Sequence, residues 1–167
     1  MFGKFIRSKL DVMNVPQLKA HCDIPCKIYD PHHAQVAVLT MIRMIDLIQE
    51  LNGKDSLNIT EQTRLIRFVS QKEEHGVILK NEIRVIWGDY FKTPQFEKFP
   101  EIHELTHSIM LLTSKVKQEI NRDDALELLK KVNRFSEIFW LTKGVKVYEA
   151  VSPYPPSENV VYPDLKK

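Results

Sequence analysis

The sequence predicts an all-α protein, an antiparallel four-helix bundle that runs up-down-up-down over residues 32–143. Two observations predict this fold. Apolar residues recur three and four positions apart in four stretches, and short breaks with Gly, Asn or Pro separate these stretches. Four amphipathic helices joined by short connections bury their apolar stripes most simply against one another.

The first two helices follow from their boundary residues and their apolar periodicity. Asp30 and Pro31 predict the start of helix one, with Asp30 as the N-cap and Pro31 at the first helical position. Its inward residues are expected to be Val36, Leu39, Ile42, Ile45 and Ile48. Helix two is expected to begin near Thr60 and to end at about Trp87. Its inward residues are expected to be Leu65, Ile66, Val69, Leu79, Ile83 and Ile86.

The last two helices follow an aromatic-rich and Pro-rich connection over residues 88–99. Helix three is predicted to begin at Pro100, and its inward residues are Ile102, Leu105, Ile109, Leu112 and Val116. Asn121 is the expected N-cap of helix four, and Gly144 marks its end. Its inward residues are Leu126, Leu129, Val132, Phe135 and Phe139. Beyond it, the prolines of residues 144–167 predict an extended tail without strand pairing.

Length and charge limit the classes of protein to which this chain can belong. A chain of 167 residues can bury a sizeable core in one domain. The net charge is +2, and residues 1–20 carry four basic residues against one acid, so the remainder carries −1. We therefore expect no nucleic-acid partner. No apolar run could span a membrane, and residues 1–20 lack the core of a secretory signal, so we expect a cytoplasmic protein.

Residues 21–31 read HCDIPCKIYDP and contain both cysteines of the chain, with a histidine beside the first. Thiolates are soft ligands that suit copper(I), zinc, iron–sulfur clusters or nickel better than calcium or magnesium. The C-x-x-x-C spacing alone is a weak pattern, because structural metal sites usually have four protein ligands. The residue types therefore leave open a metal site or a pair of redox thiols.

The complete string resembles the nickel-binding hook of the nickel superoxide dismutases. The segments IWGDYFKTP at 86–94 and FEKFPEIH at 96–103, and IFW at 138–140 followed by Thr142 and Lys143, resemble the same family. The resemblance implies an enzyme that disproportionates superoxide to oxygen and hydrogen peroxide through a Ni(III)/Ni(II) cycle, with one nickel ion per chain. Its members assemble as hexamers, so a homohexamer is also implied.

The resemblance further implies how the hook acquires its ligands. In that family the hook is the mature amino terminus, so residues 1–20 would be a propeptide that a processing protease removes. His21 would then offer an amine and an imidazole, and Cys22 and Cys26 would offer two thiolates. Amine, the amide of Cys22 and two thiolates define the square plane that nickel(II) prefers, and the imidazole can add as an axial ligand.

Supporting roles also come from the resemblance. Tyr29 and Tyr90 match tyrosines that stand over the open face of the metal, order water and restrict access to small anions, and Asp23 matches a residue packed near the hook. Three positions depart from the family pattern. Some members hold the axial imidazole with a glutamate on the first helix and an arginine on the second, and these positions are Ala37 and His75 here. Lys27 stands where glycine is usual.

One alternative is retained beside this interpretation, and a second is set aside. The first is a non-enzymatic metal-binding or thiol-redox helical module in which residues 1–20 stay attached. The second is a zinc metalloprotease, because residues 103–107 spell H-E-x-x-H and Glu127 is a conceivable third ligand. The helical periodicity argues against it, since it turns His103, Glu104 and His107 toward solvent.

Overall fold

The computed structural model describes residues 27–52, 54 and 56–166. In this part of the chain there are five α-helices, one π-helical turn and two strands. They are α1 His32–Gln49, α2 Ile59–Val85, the π-helical turn Ile86–Tyr90, α3 Thr93–Lys98, α4 Ile102–Gln118, α5 Arg122–Thr142, β1 Val147–Val151 and β2 Asn159–Pro163. The long helices pack α1 on α2, α2 on α4, α4 on α5 and α5 on α1, which closes the predicted bundle. No helix among these residues is long and apolar enough to cross a membrane.

Most helix boundaries lie where local chemistry predicts them. Asp30 accepts a hydrogen bond from the first backbone N–H of α1 at 2.9 Å. Asn121 caps α5 by accepting from two backbone N–H groups of its first turn. Gly144 follows α5 with a φ of +73°, the left-handed conformation that glycine adopts at low cost. Asn58 and Glu61 form a reciprocal capping box at the start of α2, with both bonds at 3.0 Å.

The core lies between the four long helices and contains most of the predicted inward residues. Its largest fully buried side chains are Phe91, Phe135, Phe139, Met41, Ile42, Ile45, Leu79, Ile83, Ile86, Ile102, Ile109 and Leu128. Val36 is an exception on α1, where 37% of its surface is exposed. The prediction of an inward Val36 is therefore wrong.

The first half of α2 departs further from prediction. Ile66 is 70% exposed and Val69 is 39% exposed, so neither belongs to the core. The reason is tertiary, because the last carbonyls of α4 lie beside Lys72. The turns of α2 before Lys72 therefore extend past the end of α4. Ile66 also lies about 100° around the helix from Leu65, which is only partly buried.

Between α2 and α4 the chain is more regular than predicted. Instead of ending at Trp87, α2 continues into the π-helical turn, in which the backbone N–H of Phe91 donates to the carbonyl of Ile86 at 3.3 Å. A π-helical turn places one extra residue in the helix and so changes the direction of the side chains that follow. A short helix, α3, then occupies part of the predicted connection.

The C-terminal segment is a β-hairpin, which corrects the prediction of an extended tail without pairing. β1 and β2 are antiparallel, with Val147 opposite Pro163 and Val151 opposite Asn159. Val160 of β2 is fully buried. The sequence predicted extended backbone here but no pairing, because proline disfavours paired strands. The prolines in fact lie in the turn and at a strand end, where they do not prevent pairing.

Polar contacts attach this hairpin to the bundle. The side-chain amide of Gln35 on α1 donates to the carbonyl of Val161 at 2.9 Å. Arg122 at the start of α5 forms ion pairs with Asp46 of α1 at 2.8 Å and with Glu158 of the hairpin at 2.5 Å. These two ion pairs raise the pKa of the Arg122 guanidinium above its ordinary value. The hairpin is therefore held to both α1 and α5.

Candidate metal centre

The predicted ligands His21, Cys22 and Cys26, together with Asp23, lie outside the described residues. The described chain begins immediately after them, at Lys27, whose φ is +58°. Side chains disfavour this left-handed conformation and glycine does not. The structure thus explains in physical terms why glycine suits this position, and Lys27 occupies it at a conformational cost.

Tyr29 and Tyr90, which are far apart in the sequence, meet in the structure. Their ring centroids lie 5.6 Å apart with a tilt of 54°. Tyr29 belongs to the last part of the hook, residues 21–31, whereas Tyr90 is the last residue of the π-helical turn. Tyr90 also packs against Phe139 at 4.7 Å and Phe91 at 5.2 Å. The two tyrosines therefore belong to a cluster of aromatic rings, the aromatic wall, that also contains the buried rings of Phe91 and Phe139.

The end of α5 adds two groups to this aromatic wall. The hydroxyl oxygen of Tyr90 lies 2.6 Å from Oγ1 of Thr142. The ammonium nitrogen of Lys143 lies 4.6 Å from the ring centroid of Tyr90 and 5.0 Å from that of Phe139. Such a cation is attracted by the electron-rich ring faces. In the sequence, Thr142 and Lys143 stand out only through the family resemblance, and the one local signal for them is their position at the end of an aromatic-rich helix.

A cavity of about 320 Å³ opens beside Tyr29, between the start of α1 and the end of α2. It is lined by Ile28, Tyr29, Asp30, His33, Asn81, Glu82, Val85 and Ile86. The two departures noted on these helices contribute no charged pair to it. Ala37 is buried and apolar, and the Nδ1 of His75 donates to the carbonyl of Gln71 in its own helix at 2.8 Å. The polar residues that line this cavity beside Tyr29 are instead Asp30, His33, Asn81 and Glu82.

The H-E-x-x-H segment does not form a metal site. His103, Glu104 and His107 are all exposed on α4, as the periodicity predicted. Nδ1 of His103 accepts a hydrogen bond from the indole of Trp87 at 3.2 Å, and its ring lies 4.2 Å from that of Phe96. No group of three or more His, Cys, Asp or Glu residues that could hold a metal occurs in the described part of the chain.

The hook has the donor chemistry that nickel requires. The two thiols and the nitrogen donors within residues 21–26 would form a soft, anionic ligand set, and such a set suits nickel better than it suits oxygen-preferring cations. Tyr29 follows Cys26 by three positions in the chain, and its ring packs against that of Tyr90 in the structure. The residues present therefore fit the metal that the resemblance implies.

Comparisons with known proteins agree over the bundle and the hook. The family model described as nickel-containing superoxide dismutase matches residues 16–143. The superoxide dismutase [Ni] of Streptomyces coelicolor is 32% identical over 127 residues, which cover 75% of this chain and 90% of that protein. The corresponding protein of Streptomyces seoulensis is 31% identical over 128 residues, which cover 76% and 91%.

Solved structures extend the agreement to three dimensions. Native nickel superoxide dismutase has a TM-score of 0.61 and 32% identity over 74% of this chain and 99% of its own. The nickel-containing enzyme after partial X-ray-induced reduction has a TM-score of 0.65 and 30% identity over the same shares. The match of the family model ends at residue 143, before β1 begins. The chain therefore belongs to the nickel-containing superoxide dismutase family.

Proposed function

We propose that this chain is a nickel-dependent superoxide dismutase that converts superoxide to oxygen and hydrogen peroxide at its hook. The observation that carries this proposal is the family match over residues 16–143, which includes both thiols of the chain. The meeting of Tyr29 and Tyr90 supports it independently, because those two residues are the described part of the expected site.

The hook would hold one nickel ion through the amine and imidazole of His21, the amide and thiolate of Cys22 and the thiolate of Cys26. When bound, nickel would supply the one-electron oxidation and reduction of superoxide. The cysteine thiols must lose their protons when they bind the metal. Metal uptake is therefore expected to release protons and to weaken at low pH.

The described residues would control what reaches the hook. Tyr29 and Tyr90 pack together, and the cavity of about 320 Å³ beside Tyr29 leaves room for water and small anions. The ammonium group of Lys143 lies on the aromatic wall and would attract the negative charge of superoxide. Asp23, next to the first thiolate, is proposed to support the hook by packing against it.

Maturation would require a protease that cuts between Ala20 and His21. While this bond is intact, the nitrogen of His21 is an amide with a delocalised lone pair and is a poor donor. Cleavage makes it an amine with a free lone pair, and a metal can displace the proton of such an amine at neutral pH. Residues 1–20 are therefore proposed to be a propeptide, and the uncut chain is expected to be inactive.

Location and assembly are further parts of this proposal. A cytoplasmic location is supported by the composition of residues 1–20, whose apolar residues are interrupted by Arg7 and Lys9. Assembly as a homohexamer is supported by exposed apolar side chains on α2, where Ile59, Ile66 and Val77 share one face outside the core. Size measurement on the processed protein tests this part.

The proposal is tested by producing the chain with His21 as its first residue, in the presence of nickel. Cys22→Ser and Cys26→Ser are each expected to abolish nickel binding and dismutase activity. His107→Asn is the matched control, because His107 is exposed on α4 and should leave both unchanged. Metal content, superoxide consumption and helical circular dichroism are the measurements.

The outcomes separate the two classes of function. About one nickel ion per chain with dismutase activity supports the enzyme. Zinc in place of nickel, or a reversible disulfide without activity, would instead support the non-enzymatic metal-binding or thiol-redox module. A serine variant that keeps both nickel and activity would remove the thiols from the mechanism.

A further inference from the structure

Three oxygen atoms form a chain of hydrogen bonds where α5 ends beside the π-helical turn. The hydroxyl oxygen of Tyr90 lies 2.6 Å from Oγ1 of Thr142, and this Oγ1 lies 2.6 Å from the carbonyl oxygen of Phe139. Both distances are at the short end of the range for O–H···O hydrogen bonds, so each pair of oxygens must share a proton.

Counting protons fixes the direction of both bonds. A carbonyl oxygen has no proton, and a threonine hydroxyl has only one. The proton of Thr142 must therefore point to the carbonyl of Phe139, since two oxygens 2.6 Å apart without a proton would repel each other. The proton between Tyr90 and Thr142 must then come from Tyr90.

We infer that Thr142 is a positioning residue that engages the phenolic proton of Tyr90, so that Tyr90 serves the site only as a hydrogen-bond acceptor. This inference rests on the proposed function, because it assigns a role to Tyr90 within that site. The hydroxyl oxygen of Tyr90 keeps a lone pair with which it can accept a bond from water or another donor. It has no proton left for an anion.

Packing prevents Tyr90 from leaving this arrangement. Its ring lies 4.7 Å from that of Phe139, which is fully buried, and 5.2 Å from that of Phe91. Tyr29 covers another side at 5.6 Å, and the ammonium group of Lys143 lies 4.6 Å from the ring centroid. With the ring fixed by these neighbours, the hydroxyl stays beside Thr142.

The arrangement has two consequences for the proposed reaction. Dismutation of two superoxide ions consumes two protons to form one molecule of hydrogen peroxide, and Tyr90 does not supply them. They come from water or from another donor. The arrangement also weakens the binding of small anions, because the hydroxyl of Tyr90 presents a lone pair rather than a proton to them.

The first test locates the shared proton directly by NMR in the full-length, metal-free chain with labelled tyrosine and threonine. We expect a slowly exchanging hydroxyl proton that correlates with the Tyr90 ring carbons and is close to the Thr142 methyl group. It should remain in Thr142→Ser, which keeps both bonds, and disappear in Thr142→Val and Tyr90→Phe. A shared proton bound to Thr142 in the wild-type chain would overturn the inference without any variant.

The second test uses azide as an anionic probe of the processed, nickel-loaded enzyme. Thr142→Val frees the Tyr90 proton to donate to an anion, so azide should inhibit about tenfold more strongly, the worth of one charge-assisted hydrogen bond. Thr142→Ser should keep the wild-type inhibition constant. In a Tyr90→Phe background, Thr142→Val should add nothing, because the effect acts through the Tyr90 hydroxyl.

The outcomes distinguish this inference from the proposed function. Unchanged azide inhibition in Thr142→Val, or the same increase in the Tyr90→Phe background, would overturn the role of Thr142. Absence of nickel or of dismutase activity in the wild-type processed chain would refute the proposed function instead, and the NMR result on the hydroxyl proton would still decide the hydrogen-bond direction.

Discussion

Lys72 and Lys143 both bring an ammonium group to the C-terminal end of a helix, Lys72 to α4 and Lys143 to α5. Lys72 is buried, and its three protons are donated to the carbonyls of Val116, Lys117 and Glu119, where α4 ends. The last carbonyl groups of a helix have no hydrogen-bond donor within that helix. Lys72 therefore completes the hydrogen bonding of α4.

Lys143 uses the same functional group differently. It is exposed, and its ammonium nitrogen lies over the rings of Tyr90 and Phe139. No carboxylate in the described part of the chain forms an ion pair with it. Aromatic faces hold the cation without neutralising it, so its charge remains available to an anion. The groups around a lysine therefore decide whether its charge is used within the fold or remains open to a ligand.

The largest expected effect comes from Lys72→Met. This change keeps a similar apolar stem but leaves the carbonyls at the end of α4 without a donor, so the free energy of unfolding should fall by about 2–3 kcal/mol. Urea unfolding followed by circular dichroism measures it. Lys80→Met is the matched control, because Lys80 also reaches from α2 to α4 but donates to a single hydroxyl, that of Ser114. Equal losses in both variants would contradict a special capping role for Lys72.

The next effect comes from Lys143→Met and concerns catalysis. Removing a positive charge beside the proposed site should lower kcat/KM for superoxide about fivefold at low ionic strength. The difference should shrink at about 0.15 M salt, where screening acts over about 8 Å. Stopped-flow or pulse-radiolysis rates at several salt concentrations check this.

Lys143→Arg and Lys98→Met complete that experiment. The arginine variant keeps the charge over the ring and should retain the salt dependence. Lys98 also places its ammonium nitrogen over an aromatic ring, 5.5 Å from the centroid of Phe99, but outside the aromatic wall of Tyr29 and Tyr90. Lys98→Met should therefore leave kcat/KM for superoxide unchanged. A Lys98 effect as large as that of Lys143 would mean that net charge, and not position, controls the rate.

The smallest effect is the contribution of Lys72 to the pH dependence of stability. Burial lowers the pKa of Lys72 in the folded chain below its ordinary value of 10.5. Between these two pKa values the unfolded chain binds more protons than the folded chain, so the free energy of unfolding should rise with pH. This rise should be absent in Lys72→Met when both proteins are unfolded with urea at several alkaline pH values. Parallel pH profiles would show that the pKa of Lys72 is not lowered.

Local chemistry made much of this molecule predictable from the sequence. Asn121 and Gly144 mark the ends of α5 because a cap acts within three or four residues, and the periodicity of α1, α4 and α5 identifies most of their buried faces. The hook is the clearest case. Its donors lie within residues 21–26, so their chemistry can be read without any tertiary contact, and the match over residues 16–143 agrees with that prediction. Its ligand roles stay a prediction.

The features that depend on distant segments of the chain could not be predicted from the sequence. The exposure of Ile66 depends on where α4 ends, and the burial of Lys72 depends on the carbonyls found there. The π-helical turn and the end of α5 together place the hydroxyl of Tyr90 beside Thr142. The pairing of β1 with β2 depends on a buried surface that α1 and α5 provide. Caps and periodicity act within one helix, whereas these contacts join elements that meet only when the whole chain folds.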